Sequence, residues 1–441
     1  MKKYLVSLIV AIFSLVVSVT GAQAVTEIHW WHAMGGALGV RVNHIADNFN
    51  LSQNKYKLIV NYKGNYTETM TAGIAAFRAG KQPHIIQVFE VGTATMMGAK
   101  GAVKPVYELM AEAGAPFNPD GYVGAVKGYY TSTDGKMLSM PFNSSTPVLF
   151  YNKDAFKKAG LDPDNPPKTW PEVGEAAKKL VASGAVKYGF STCWPSWVQI
   201  ENFGPWHNIP IGTKGNGFEG LDTEFLINTP LYVKHIQQLA DWQKDKTFVY
   251  AGRGDDANPM FPAGDVGMMT QSSAAHAGYL RNSDFEFGVA SLPYWPGTPG
   301  APLNTIIGGS SLWVYQGHTA EEYKAVAAFY TFLSLPMVQA YWHENTGYVP
   351  ITTAAMDLMK DLGFYKKNPG RDLPIMQLNG FGKPSTAYSK GLRFGSFLQE
   401  RVIIEEEMEN VFAGKKSAQE ALDNAVKRAN VLLRRFEKAS K

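Results

Sequence analysis

The sequence predicts an α/β protein with a parallel sheet. Two patterns predict it: apolar extended runs bounded by turn residues, and between them stripes of apolar residues at helical spacing. The order strand–helix–strand–helix–strand within the first part of the chain places successive strands side by side, in parallel. Glu27–His32 is the first strand. After Gly35-Gly36, residues Leu38, Val42, Ile45 and Phe49 form one helical stripe. Tyr56–Tyr62 reads as a strand. Asn65 and Glu68 form an N-x-x-E cap, Met70, Ile74 and Phe77 share a helix face, and Gly80 stops that helix before Pro83. His84–Phe89 is nearly continuous in apolar residues, as in a strand buried on both faces.

Further along, Pro147–Tyr151 is a second extended run. Residues 193–220, dense in Trp, Gly and Pro, read as a loop. Thr305–Val314 reads as a strand with Gly308 and Gly309 at its centre, where a missing side chain lets another group approach the backbone. Thr319 and Glu322 cap a helix with the face Val326, Phe329 and Leu333. Ser417 and Glu420 begin the last helix, striped by Leu422, Val426, Ala429 and Leu433. No internal repeat or low-complexity tract interrupts this order.

Composition narrows the function classes. The 441 residues suggest two or three domains, and 45% apolar content excludes a disordered chain. A net charge of +4 without a basic stripe excludes nucleic acid as partner. Residues 1–24 combine Lys2-Lys3, an apolar stretch and Ala22-Gln23-Ala24, the order of a cleavable secretory signal. Export to a periplasm follows, with no lipid anchor because no Cys follows the signal. The single Cys193 allows no intramolecular disulfide and reads as a small apolar filler.

Catalytic constellations are scarce. His29 and His32 suggest metal ligation, but residues three apart on a strand face opposite sides; no metal or other cofactor is expected. None of the pairs Ser144-Ser145, Ser272-Ser273 and Ser310-Ser311 sits in a nucleophile elbow. Glu405-Glu406-Glu407 reads as a solvated helix face. Binding features are better represented. Glu90 ends a buried strand, where open α/β sheets take ligands. Tyr66 starts the helix capped by Asn65, and Trp194 and Trp197 lie three apart beside Trp206.

Asn143–Lys153, Asp154–Gly160, Pro167–Trp170, Gly308-Gly309, Thr346–Pro350 and Gly414–Leu422 resemble the signature of family 1 extracellular solute-binding proteins of ABC importers. Tyr62–Tyr66, Gly73–Arg78, Glu90–Met97 and Gly391–Arg393 resemble the branch of that family that binds glycerol phosphate. The resemblance implies a two-lobed periplasmic binding protein fold with an interlobe ligand cleft and three hinge crossovers, near Asn143–Pro147, Ile307–Ser311 and Tyr348–Thr352. One lobe would comprise residues 25–143 plus 311–350, the other 144–310 plus 351–441. The implied ligand is sn-glycerol-3-phosphate and glycerophosphodiesters such as glycerophosphocholine. The implied partners are the permease subunits of an importer, met by a monomer.

Carried over by resemblance, the ligand contacts are Tyr66, Glu90, Ser145, Trp194, Trp197, Ser272, Gly309, Tyr348 and Arg401. Arg401 would fork onto phosphate oxygens, with the Ser145, Ser272 and Tyr348 hydroxyls and the Gly309 amide completing an anion cage. Glu90 would take the glycerol hydroxyls at the other end, and the two indoles would cover the carbon skeleton or a choline ammonium. Cys193 and Pro195 depart from the pattern around Trp194. The competing readings are an oligosaccharide-binding protein of the same fold and a secreted phosphodiesterase.

Overall fold

The computed structural model of the protein describes residues 25–99 and 101–441; the signal at 1–24 lies outside the described residues. Eleven strands form two sheets. They are β1 (Thr26–His32), β2 (Tyr56–Tyr62), β3 (Ile85–Phe89), β4 (Val103–Lys104), β5 (Met140–Ser145), β6 (Pro147–Asn152), β7 (Tyr188–Thr192), β8 (Phe248–Val249), β9 (Val266–Ser272), β10 (Phe287–Ala290) and β11 (Gly308–Tyr315). The first sheet runs β2-β1-β3-β11-β4, with β5 also paired to β11; the second runs β10-β6-β9-β7-β8.

The predicted capping chemistry forms as drawn. Asn65 Oδ1 accepts from the Glu68 amide (3.0 Å) and Glu68 Oε2 accepts from the Asn65 amide (2.7 Å), starting the helix Tyr66–Arg78. The Thr319–Glu322 box starts the helix Ala320–Leu333 in the same way. Val42, Ile45 and Phe49 are buried with Ile28 and Trp30 under one face of the first sheet. Around the second sheet, Trp170, Phe190, Ile236 and Leu239 are buried in a core shared with the C-terminal helices.

The first sheet corrects the parallel expectation. β1 pairs in parallel with β2 and β3, but β11 runs antiparallel to β3 and β5. The reason is connectivity: β11 enters the first sheet from the second, and arrives from the opposite direction. The strand also starts at Gly308, so the glycines stand at its entry and not its centre. The chain passes from the first sheet to the second between Ser145 and Pro147 and returns through Thr305–Ile307. A third segment, Val349–Thr352, hydrogen-bonds the first sheet's side, with the Val349 amide on the Ser144 carbonyl at 2.8 Å. Beyond it, Gln377 Nε2 donates to the Pro147 carbonyl (2.7 Å). This segment and the two passages therefore lie side by side.

Residues 193–220 are not the predicted loop. Trp197–Glu201 and Phe203–Trp206 are helical turns, and the Trp206 indole is buried with its N–H on the Leu292 carbonyl at 3.0 Å. The acidic run also differs from expectation. Glu405 and Glu407 are buried on the helix Phe397–Phe412, because Lys416 and Arg428 engage Glu407 while Arg253 approaches Glu405. Cys193 is free and fully buried, as expected of a filler.

Candidate functional site

The site forms where the three passages meet. Register places Gly308 opposite Ser145, and Pro147 opposite Ser272. Gly309 has φ +95°, and a Cβ there would lie 2.1 Å from the Asn143 carbonyl oxygen. Only glycine fits, because the left-handed backbone and the contact both exclude a side chain. Tyr348 is buried against Trp342, its ring stacked at 5.7 Å, and Gly347 packs on the Ser273 carbonyl.

Tyr66, first residue of its capped helix, stacks on Phe89 at 5.2 Å with the rings nearly parallel. Its hydroxyl accepts from Asn143 Nδ2 (2.9 Å). Burial, then the neighbouring Tyr348, raises the Tyr66 hydroxyl well above its usual pKa; burial lifts Tyr348 to about 12. Both therefore remain protonated donors at neutral pH. The Ser145 hydroxyl is buried with no hydrogen bond among the described residues, whereas Ser272 Oγ caps its own turn by accepting from the Ala274 amide.

Glu90 and Arg401 were expected at opposite ends of a ligand. The structure joins them. Arg401 Nη2 donates to Glu90 Oε1 (2.8 Å) and to Glu201 Oε2 (2.6 Å), and Nε donates to Glu201 Oε1 (2.8 Å). All three side chains are buried. The forked edge of Arg401 is thus spent on Glu201, itself held by Ser196 Oγ at 2.8 Å. Arg401 Nη1 and Glu90 Oε2 remain without partners among the described residues. Burial pushes the Glu90 carboxyl up, against the opposing pull of Arg401.

The indoles separate. Trp194, at φ 49°, is partly exposed and donates from Nε1 to Asp255 Oδ1 (2.8 Å). Trp197 is buried directly over Gly308, and its Nε1 has no partner among the described residues. Sequence reasoning missed Asn143 as a contributor, Glu201 and Asp255. Asn143 lies inside the quoted motif; the two acids carry no local signal, since only the fold brings them to Arg401 and Trp194.

A histidine cluster lies elsewhere. His84, His318 and Glu322 place ligand-type atoms within 4.8 Å of one another. His84 Nδ1 accepts from the His29 amide (3.0 Å), so its neutral ring carries the proton on Nε2, facing Glu322 at 3.3 Å. That proton occupies the position a metal would need. His29 stacks on His84, whereas His32 packs against Trp30 and Tyr62.

Among the described residues, no helix is long and apolar enough to cross a membrane. Residues 44–372 match the family model for bacterial extracellular solute-binding proteins. The chain is 52% identical over 421 residues, 95% of both chains, to the sn-glycerol-3-phosphate-binding periplasmic protein UgpB of Yersinia pseudotuberculosis. It is 50% identical over 422 residues to that of Pectobacterium atrosepticum, covering 96% of this chain and 94% of the relative. The crystal structure of UgpB from Mycobacterium tuberculosis in complex with glycerophosphocholine aligns with TM-score 0.77 and 22% identity, over 93% of this chain and 98% of that one. Maltose-bound T. maritima MalE3 aligns with TM-score 0.74 and 19% identity, over 92% and 100%. The two sheets and their crossovers are the two-lobed architecture of periplasmic binding proteins, and the chain belongs to the bacterial extracellular solute-binding protein family.

Proposed function

We propose that this protein captures sn-glycerol-3-phosphate and glycerophosphodiesters such as glycerophosphocholine in the periplasm and delivers them to the permease subunits of an ABC importer, without catalysis. Relatives of about half-identical sequence that carry that ligand in their names support the choice of ligand. The observation that carries the reading is the division of the cleft into two chemistries. Ser145, Tyr66, Tyr348 and the Gly309 backbone supply neutral donors. Glu90 and Arg401 supply an adjacent free acceptor and free donor.

This division supports one orientation of the ligand. Glu90 and Glu201 outnumber the one guanidinium between them, so a phosphate dianion is favoured at the neutral donors, away from that cluster. Glu90 Oε2 and Arg401 Nη1 then suit a pair of glycerol hydroxyls. Arg401 remains a ligand contact in this scheme, but for the polyol end. Trp194, Trp197 and Ser272 border the organic portion, and the Asp255 carboxylate beside the Trp194 indole suits a choline ammonium. Tyr66 and Glu90 come from one lobe, Trp194, Ser272 and Arg401 from the other. A ligand touching both stabilises the closed arrangement, which distinguishes loaded from empty protein for an importer.

Calorimetry against sn-glycerol-3-phosphate, glycerophosphocholine and maltose tests the reading, with the ligand recovered intact by mass spectrometry. Saturable binding of the two phosphates and none of maltose is expected. Preference for maltose would establish the oligosaccharide reading, and recovery of cleaved diester the enzymatic one. Scattering should show a smaller radius of gyration at saturation.

A further inference from the structure

A pocket of about 630 Å³ lies between the lobes, and none of the nine cleft residues lines it. One wall is the helix Gly124–Tyr130 with the turn after it; the other is the segment around Lys383–Arg393. Its floor is Asn304–Ile307, the passage that leads into β11. Tyr129 separates it from the cleft: its hydroxyl faces the Glu90 carbonyl oxygen (3.5 Å) and its ring packs on Gly391.

The charges of this pocket are unbalanced. Lys383, Lys390 and Arg393 line it, against Glu219 alone among acids. Lys383 Nζ donates only to the Pro302 carbonyl (3.0 Å), and Lys390 Nζ has no partner among the described residues. Arg393 crosses from one lobe to the other. Its Nη2 donates to the Thr131 and Gly128 carbonyls, and its guanidinium lies over Phe218 at 4.4 Å. No carboxylate pairs with it among the described residues, and its Nε is buried without a partner. Burial lowers its pKa against the opposing pull of the Tyr129 hydroxyl, and no carboxylate offsets that cost among the described residues. A desolvated guanidinium held by carbonyls alone is a costly arrangement that a bound anion relieves. Ser385 and Ser389 on the lining add hydroxyls suited to the same anion, whereas the Ser132 hydroxyl is held by Asp134 and the Lys136 backbone.

We propose that this interlobe pocket is a second anion site, separate from the solute cleft, that takes a small phosphate-bearing anion on Arg393, Lys383 and Lys390. Because the anion spans both walls, its binding is coupled to the arrangement of the lobes, and hence to the cleft.

The test uses the full mature protein with its cleft saturated by glycerophosphocholine, which carries no net charge and no phosphomonoester group to compete for the second site. Inorganic phosphate and phenyl phosphate are then titrated separately, followed by phosphorus NMR line broadening and calorimetry. A saturable second event is expected, weakened by roughly tenfold or more in Arg393→Gln and in the Lys383→Gln/Lys390→Gln double variant, and retained in Ser145→Ala. Response to phenyl phosphate alone would assign the site to organic phosphomonoesters, and response to both to the free phosphate group. Absence of a saturable event, or one that persists in the variants, overturns the proposal. Should Arg393→Gln fail to fold, the double variant at two exposed lysines decides the matter by itself. Loss of the second event with intact cleft binding leaves the solute reading untouched.

Discussion

Arg401 and Arg393 stand on neighbouring stretches of one chain and meet opposite surroundings. Arg401 is clamped by two carboxylates at 2.6–2.8 Å and is buried. Among the described residues Arg393 holds only backbone carbonyls and a phenyl face, beside two lysines with no carboxylate partner. A cation's place in a cleft therefore does not reveal its role. A guanidinium already balanced by acids organises its neighbours and offers one leftover donor; an unbalanced one attracts anions. By this criterion we propose that Arg401, a phosphate clamp in the sequence reading, serves the polyol end, and that the electrostatic attraction for anions lies across the wall formed by Tyr129.

The largest expected effect separates the two arginines by stability. Arg401→Ala strands two buried carboxylates and should cost about 3–5 kcal/mol. Arg393→Ala loses charge-assisted bonds to carbonyls, about 1.5–3 kcal/mol at most, with relief from desolvation reducing it further. Chemical denaturation measures both. Equal losses would break the comparison.

The same pair should differ in ligand binding. Arg401→Lys keeps the charge but not the fork on Glu201, so the cleft loses its geometry and affinity for sn-glycerol-3-phosphate should fall at least about tenfold. Arg393→Gln should shift that affinity by less than about threefold, the margin left for coupling through the lobes. Calorimetry reversing this order would return the phosphate to the Arg401 side or assign Arg393 to the cleft.

A third test concerns the acidic surplus around Arg401. Glu405 is pushed up to about 7, by burial first and against the pull of Arg401 and Arg253. The folded state therefore holds this proton more tightly than the unfolded one, whose carboxyl titrates near 4.5. Glu405's contribution is fully present below about 4.5 and is lost as pH rises to about 7. Glu405→Gln should stabilise the protein by about 2–3 kcal/mol at pH 8 and by little at pH 4.5. A gain independent of pH would mean that Glu405 is not the titrating group.

The smallest effect is at the indoles. Trp194→Ala should weaken glycerophosphocholine more than sn-glycerol-3-phosphate, by about 0.5–2 kcal/mol, because only the former offers a cation to the ring beside Asp255. Trp197, buried over Gly308, should instead affect both ligands alike when truncated. Equal losses at Trp194 would show that this corner of the cleft recognises no cation.

Much of the local structure was legible in the sequence because it depends on neighbours in the chain. The Asn65–Glu68 and Thr319–Glu322 boxes, the stripe Val42–Ile45–Phe49, the β3 run and the stop at Gly80 need only spacing and backbone propensity. The family resemblance extended this to the two-lobed fold and proposed nine ligand contacts. What the sequence could not determine is how charges separated by hundreds of residues balance. Glu90, Glu201 and Arg401 come from three distant segments, and nothing in any one of them shows that Glu201 takes the forked edge of Arg401. Likewise Glu405 and Glu407 carry the pattern of a solvated face, and only the packing of their helix against Arg253, Lys416 and Arg428 makes them buried partners. The direction of β11 and the pocket around Arg393 have the same origin. Helices and caps follow from local periodicity, whereas strand direction, charge pairing and desolvation arise from contacts that exist only once the chain has crossed between its lobes.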